Sequence, residues 1–339
     1  MNKKVGYAIA LAAALVAPFV VYPVFLMKVL CFALFACAFN LLIGFTGLLS
    51  FGHAAFFGGA GYVAGHAIKV MGWPFELGIT AGVVVAALIG LVMGSLAIRR
   101  QGIYFTMITL ALAQMLFFVF LQAPFTGGED GLQGVPRGNL LGLIDLSSDM
   151  TLYYVVLGIF IGGFALIVRT VHSPFGQVLK AVKENEPRAI SLGYDVDKYK
   201  LLAFILSGAL AGLAGATKTV VLGFETLTDV HWSMSGLVVL MTLVGGLGTL
   251  SGPIVGAIVI IALENKLGEL GNLIAMLTGI EWFRTLGESV TIVTGFIFIV
   301  CVLAFRRGIV GELVEFAKKK RKPVVVTPTH STVMKTMEG

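Results

Sequence analysis

The sequence predicts an all-α, polytopic membrane protein of about ten transmembrane helices, and three observations carry that expectation. Of 339 residues, 58% are hydrophobic and 12% are charged, about half the charged share of a soluble domain. Forty-three glycines are spread through the apolar runs, where small residues let membrane helices approach closely. The charges are also segregated, and the largest group lies in one polar island at 169–200 between long apolar stretches.

Ten apolar stretches follow in order, at roughly 5–22, 28–46, 53–71, 77–98, 103–121, 152–169, 200–222, 234–248, 251–265 and 287–305. The first has a basic flank and could pass for a secretory leader. Its length and the immediate second stretch favour an uncleaved span. The eighth and ninth are joined by GGLGTLSGP and read either as spans or as half-helices. With the N-terminus inside and ten crossings, 18 of the 24 Lys and Arg residues fall inside. The other six, Lys28, Lys69, Arg137, Lys218, Lys266 and Arg284, fall outside or at outer ends. That bias follows the positive-inside rule and places both termini in the cytoplasm. The net charge of +6 is thus a topology signal and not a nucleic-acid footprint. The connection over 122–151 is the longest outer one, is rich in turn residues, and reads as part of an outer mouth. Residues 1–305 form the expected membrane domain, and 306–339 a basic cytoplasmic tail.

The island RTVHSPFGQVLKAVKENEPRAISLGYDVDKYK has local structure of its own. Ser173 suits a helix cap, with Pro174 at the first helical position. Phe175, Val178, Leu179 and Val182 then fall at i, i+3, i+4 and i+7, one helical face. Asn185-Glu186-Pro187 interrupts the pattern, and a second short helix over 188–192 stops at Gly193, a left-handed terminator. Such a segment is either a solvated loop or a docking surface. On the docking reading the apolar face inserts into a partner, and Lys180, Lys183 and Glu184 lie at its rim.

Several chemistries lack their motifs. There is no G-x-x-x-x-G-K-[ST] phosphate loop, so any ATP would be hydrolysed by another chain. HExxH, CxxC and Gly-x-Ser-x-Gly do not occur, and Cys31, Cys37 and Cys301 are isolated in apolar runs. We therefore expect no catalytic or metal-binding residue in this chain. His53 and His66 lie near one span, 13 residues apart, and invite comparison with a haem pair. The strip over 40–62 holds six glycines with Asn40, Thr46, Ser50 and His53, and Gly-interrupted segments at membrane depth pack closely or line a cavity. Thr46, Ser50, His53, Thr106, Thr109 and Gln114 are accordingly the candidate substrate-path residues. No acid or base falls at the centre of a span, which disfavours a proton-coupled symporter.

At this point the island resembles a known family. Residues 173–216, SPFGQVLKAVKENEPRAISLGYDVDKYKLLAFILSGALAGLAGA, look like the signature of membrane permeases of ABC importers for branched-chain amino acids. NLLIGFTGLLSFGHAAFFGGAGY, TGGEDGL, GGLGTLSGPIVGA and FRRGIVG resemble further segments of that family in the same order. The longer outer loop and SPFG suggest the second of two sister permeases.

The resemblance implies an ABC importer permease fold, paired with a sister permease in a bacterial inner membrane. Two cytoplasmic ATPase subunits would use ATP and Mg, and an extracytoplasmic binding protein would deliver substrate. This chain itself would bind no cofactor. The island would hold the coupling helix that docks on the ATPase, carried by Ser173, Pro174, Phe175, Gly176, Val178, Leu179, Val182, Glu186 and Gly193. Branched-chain or other hydrophobic amino acids are the expected cargo. Urea, short amides and aromatic acids are alternatives within the family. A haem-binding scaffold using His53 and His66, or a transporter acting alone, are readings from other classes.

Overall fold

The computed structural model describes residues 11–278, 295–296, 299 and 308–312. It is helical along nearly its whole length. After a helix over 11–16 and a 3-10 turn at Ala17–Phe19, the main helices are α1 (Pro23–Thr46), α2 (His53–Lys69), α3 (Phe75–Ala97), α4 (Ile103–Gln122) and α5 (Asp149–His172). Two short helices, α6 (Pro174–Glu184) and α7 (Glu186–Ser191), precede α8 (Val196–Leu222). The chain ends its described core with α9 (Leu227–Val230), α10 (Trp232–Gly245) and α11 (Gly252–Thr278).

Among the described residues, five helices, α1, α3, α4, α5 and α8, are long and apolar enough to cross a membrane. Helix α2 has 17 residues and α10 has 14. The eighth expected stretch is thus a short helix, while the ninth continues past its expected end at 265 to Thr278. Most of the tenth stretch and of the tail lies outside the described residues, as do residues 5–10 of the first.

Two helices form the inside of the bundle. The apolar window of α1 is 78% buried and that of α8 67%, against 22–39% for α3, α4 and α5. An apolar residue has no reason to avoid lipid, so burial is decided by which faces admit close packing. Helix α8 supplies such a face. A Cβ at Gly212 would collide with Ala86 of α3, and one at Gly215 would overlap the Phe57 carbonyl of α2. Helix α8 packs along α1, α2 and α3 together.

The bundle has two polar ends. At one lie the connections 47–52, 98–102, 173–195 and 246–251. At the other lie 70–74, 123–148 and 223–231. Connections alternate between the two ends along the described helices. The outer connection 122–151 is ordered. It forms 3-10 turns at Pro124–Thr126 and Gly128–Asp130, strand β1 (Leu132–Gln133) and a hairpin of β2 (Asn139–Leu140) with β3 (Ile144–Asp145). Strand β1 pairs antiparallel with β4 (Phe224–Glu225), with Leu132 opposite Glu225.

Candidate functional site

The polar island folds as the sequence predicts at its ends. Ser173 caps α6 by accepting from the Gly176 N–H at 3.3 Å, and its hydroxyl donates to the Thr170 carbonyl at 2.7 Å. A Cβ at Gly176 would overlap the Thr170 and Val171 carbonyls, so only glycine fits the sharp step from α5 to α6. Asn185 caps α7 through the Arg188 N–H at 3.0 Å, and α7 consequently starts at Glu186, two residues before the expected position. Gly193 ends the segment at φ +86°.

The apolar face of α6 departs from expectation. Leu179 is fully buried within this chain, and Val182 forms a small core with Ala189 and Val196, against which Val178 packs. Phe175 stacks on Tyr199, with ring centroids 5.6 Å apart. The face therefore finds partners in α7 and α8 of this chain, with Leu179 and Val182 buried and Phe175 and Val178 half-buried. The helices of the island lie back on the bundle, which spacing alone does not reveal. What the fold exposes is the knuckle after it: Ile190 at 56%, Leu192 at 69% and Tyr194 at 41%.

Two polar ties hold the island to the spans. The Lys183 ammonium donates to the Gly44 carbonyl in the last turn of α1 at 2.7 Å, satisfying an acceptor that a helix end leaves open. Lys180 lies over the Phe45 ring at 5.9 Å. Glu186 Oε1 accepts from the buried Lys200 of α8 at 2.6 Å and from Gln101, in the turn before α4, at 2.8 Å. Lys183 is thus a structural donor and not a rim charge. At the N-terminus of α8, Asp195 accepts from the Lys198 N–H at 3.3 Å, and hydrogen bonds from Lys198 hold its carboxyl below its ordinary value.

The candidate path residues gather largely at the same end. The Thr106 hydroxyl donates to the Leu49 carbonyl at 2.9 Å, and Thr109 Oγ1 accepts from the Phe51 N–H at 3.3 Å. Ser50 Oγ accepts from the Gly52 N–H at 3.1 Å, and Thr46 donates to the Leu42 carbonyl. Thr106, Thr109 and Ser50 thus satisfy the non-helical backbone between α1 and α2, while Thr46 bonds back within the last turn of α1. A cavity of about 230 Å³ beside them is lined by Gly47, Leu48, Leu49, Gly102, Phe105 and Thr106, with Ile103. Gln114 is half-buried one to two turns farther along α4.

His53 is buried among the edges of Phe39, Phe56 and Phe204, with Nε2 at 2.8 Å from the Ser207 hydroxyl. His66 stands beside Phe125 near the other end of α2. The two imidazoles face separate aromatic packings and do not share a pocket, so they do not fit a haem pair. No cluster of three or more His, Cys, Asp or Glu suited to a metal occurs among the described residues.

Sequence reasoning missed two features. Asn40 donates to the Thr249 carbonyl at 2.8 Å and accepts from the Gly248 N–H at 2.9 Å, clamping the glycine-rich turn between α10 and α11. At the opposite end, Lys218, read from the sequence as an outer charge, is buried together with Glu225 and Asp229. Lys218 Nζ donates to Asp229 Oδ2 at 2.5 Å and to Glu225 Oε2 at 3.2 Å, and Thr219 donates to the same Glu225 oxygen at 2.5 Å. Glu225, in the connection beyond α8, has its carboxyl pushed up to about 8 by burial, with Lys218 opposing. The cluster sets two carboxyls against one ammonium, and burial opposes carrying both carboxyls as anions. Spacings of 7 and 11 residues around a reverse turn carry no signal of this meeting, although the closely packed Gly61 offers one in retrospect. A Cβ there would sit 2.6 Å from the Glu225 carboxyl carbon.

A bundle with five helices long and apolar enough to cross a membrane, and a capped polar segment between two of them, has the architecture of a multi-pass membrane protein. Residues 24–272 match the model of the permease component of branched-chain amino acid transport systems, and the chain belongs to that family. It is similar to the high-affinity branched-chain amino acid permease LivM of Escherichia coli K12, 25% identical over 263 residues, covering 71% of this chain and 62% of LivM. It is also similar to the probable permease LivH of Methanocaldococcus jannaschii, 31% identical over 172 residues, covering 50% of this chain and 49% of LivH. A third relative is the ribose import permease RbsC of Bacillus subtilis, 29% identical over 174 residues, covering 49% of this chain and 51% of RbsC. The chain thus spans about 62% of the length of LivM. These relatives are named as transport permeases and not as enzymes. Among solved structures, PsaBC from Streptococcus pneumoniae in complex with Fab aligns at a TM-score of 0.40 and 18% identity, over 86% of this chain and 95% of that one.

Proposed function

We propose that this chain is the membrane-spanning subunit of an ATP-driven importer whose first cargo is branched-chain or other hydrophobic amino acids. The carrying observation is the island at 169–200. It presents an exposed apolar knuckle, Ile190, Leu192 and Tyr194, while Lys183 and Glu186 tie its far side to α1, α4 and α8. A body docked on the knuckle would therefore move helix ends and not a slack loop. ATP and Mg belong to two cytoplasmic ATPase subunits, a sister permease completes the membrane unit, and an extracytoplasmic binding protein supplies the cargo. The subunit sits in a bacterial inner membrane with both termini in the cytoplasm, residues 1–305 forming the membrane domain and 306–339 the tail.

Cargo passes beside the α1–α2 break, where Thr106 lines a cavity and Thr46, Ser50, His53, Thr109 and Gln114 lie around it. Relatives named for ribose, autoinducer 2 and arabinose transport make sugars the principal rival cargo.

The test is reconstitution with the ATPases and binding protein in vesicles. Each large apolar side chain at an interface contributes about 1.5–3 kcal/mol when buried, so Leu192→Ala should release the ATPases and stop leucine uptake while the chain still inserts normally. Full ATPase retention and uptake by Leu192→Ala together with Ile190→Ala would overturn the docking assignment. Ribose uptake without leucine uptake would overturn the cargo.

A further inference from the structure

The outer hairpin holds a bulky apolar residue where backbone geometry disfavours it. Strands β2 and β3 are joined by Leu141-Gly142-Leu143, and the Leu143 N–H donates to the Leu140 carbonyl at 3.0 Å. The two central residues of this turn, Leu141 and Gly142, have φ +51° and +70°. Leu141 is the one non-glycine residue with positive φ among those described. Asn or Gly is favoured at such a position, because a Cβ crowds the backbone there. A leucine held in that conformation marks a place where the side chain itself is used.

Its surroundings indicate the use. Leu141 is 73% exposed, Leu143 87% and Ile144 45%, so the tip is an uncharged apolar point. The base is polar and fixed. Arg137 pairs with Asp149 at 2.6 Å, and Ser147 donates twice to Asp145. The tip is also positioned, because the Leu141 N–H donates to Glu76 in the first turn of α3. Helix α3 is a candidate span that exposes Leu77, Val84, Leu88 and Leu96, and its first turn meets the hairpin tip through Glu76. Exposed Trp73 stands immediately before that helix, and tryptophan is enriched at the membrane–water boundary.

We propose that the 139–145 hairpin is an interfacial anchor, with Leu141 and Leu143 inserted among the lipids of the outer leaflet beside α3. The occupant is lipid because the exposed side chains of the tip, Leu141, Leu143 and Ile144, are all apolar and because the tip is tied to the first turn of a membrane-length helix that itself exposes apolar side chains. A polar base with an apolar point also matches the gradient from headgroup to acyl chain.

The test uses the full chain in vesicles of phosphatidylcholine and phosphatidylglycerol. A nitroxide is placed at Leu143→Cys and separately at Ser147→Cys, with the unsubstituted chain carried through the same labelling to correct for its own thiols. Position 143 should collide more with oxygen, which concentrates in lipid, than with a water-soluble nickel chelate. Position 147 should show the reverse. Adding Leu141→Asn, which suits the turn but is polar, should raise nickel access at 143 at least twofold while thermal stability is kept. Equal nickel access at 143 and 147 would overturn the proposal. So would nickel access at 143 that falls only when an extracytoplasmic binding protein is added, which would make the tip a protein contact.

Discussion

The two polar ends of this bundle are fastened differently. At the inner end, isolated hydrogen bonds from long side chains, Lys183 to Gly44 and Lys200 to Glu186, join segments that each carry their own helix caps. At the outer end, Lys218, Glu225 and Asp229 meet in a fully buried group, reinforced by pairing of Leu132 with Glu225 between β1 and β4. Separate polar ties permit one segment to shift while the others hold. A buried charge cluster tends to be all or none, since each member alone is strongly penalised. On the proposed function, the island end would transmit movement and the opposite end would resist it.

The largest expected effect comes from breaking the outer cluster. Lys218→Met keeps the apolar stem, which lies near the Phe57 and Phe224 rings, and removes only the charge. Asp229 is then left buried without its cation, at a cost of about 3–5 kcal/mol. Thermal unfolding in detergent should show this as a large loss of stability. Combining Lys218→Met with Glu225→Gln and Asp229→Asn should recover most of it, because no uncompensated charge remains. If Lys218→Met alone unfolds like the parent, the cluster does not fasten the outer end.

The inner counterpart should be milder in stability and sharper in transport. Lys183→Met leaves the Gly44 carbonyl without its cationic donor. Such bonds contribute about 1.5–3 kcal/mol, and the half-exposed setting puts this one at the low end. Reconstituted with its ATPases, the variant should retain them and hydrolyse ATP while uptake per ATP falls several-fold. Equal uptake per ATP would mean that the island moves the spans without this tie.

The contrast also explains what could be read in advance. The island was legible because its information is local: Ser173, Pro174 and Gly193 act within a turn of themselves, and their roles are found as expected. The membrane class was legible from composition. The destination of the Phe175, Val178, Leu179 and Val182 face was not, because periodicity identifies a face but not its partner. The chain's own Ala189, Val196 and Tyr199 fill that place. The outer cluster was hidden for a related reason. Lys218 and Glu225 look like ordinary charges near a span end until the glycines of α2 bring a third helix against them.

The smallest effect tests whether the inner end gains anything from an exposed charge pair. Asp195 caps α8, and its carboxylate also lies 2.7 Å from the Lys198 ammonium, both side chains being more than half exposed. Its folded-state pKa is lowered from the ordinary 3.8 by the Lys198 hydrogen bonds. A depressed carboxyl pKa adds stability that is fully present above the unfolded value and is lost as pH falls through the folded one. The parent should therefore lose a small increment of thermal stability only below about pH 3.8. Asp195→Asn retains a side-chain oxygen that can accept the Lys198 N–H, since asparagine caps about as well as aspartate, and removes only the charge. The variant should match the parent below that pH and fall slightly short of it at neutrality, the gap shrinking in high salt. A gap that persists unchanged in salt would assign the effect to cap geometry, and Asp195 would then belong with the local fastenings of Ser173 and Asn185.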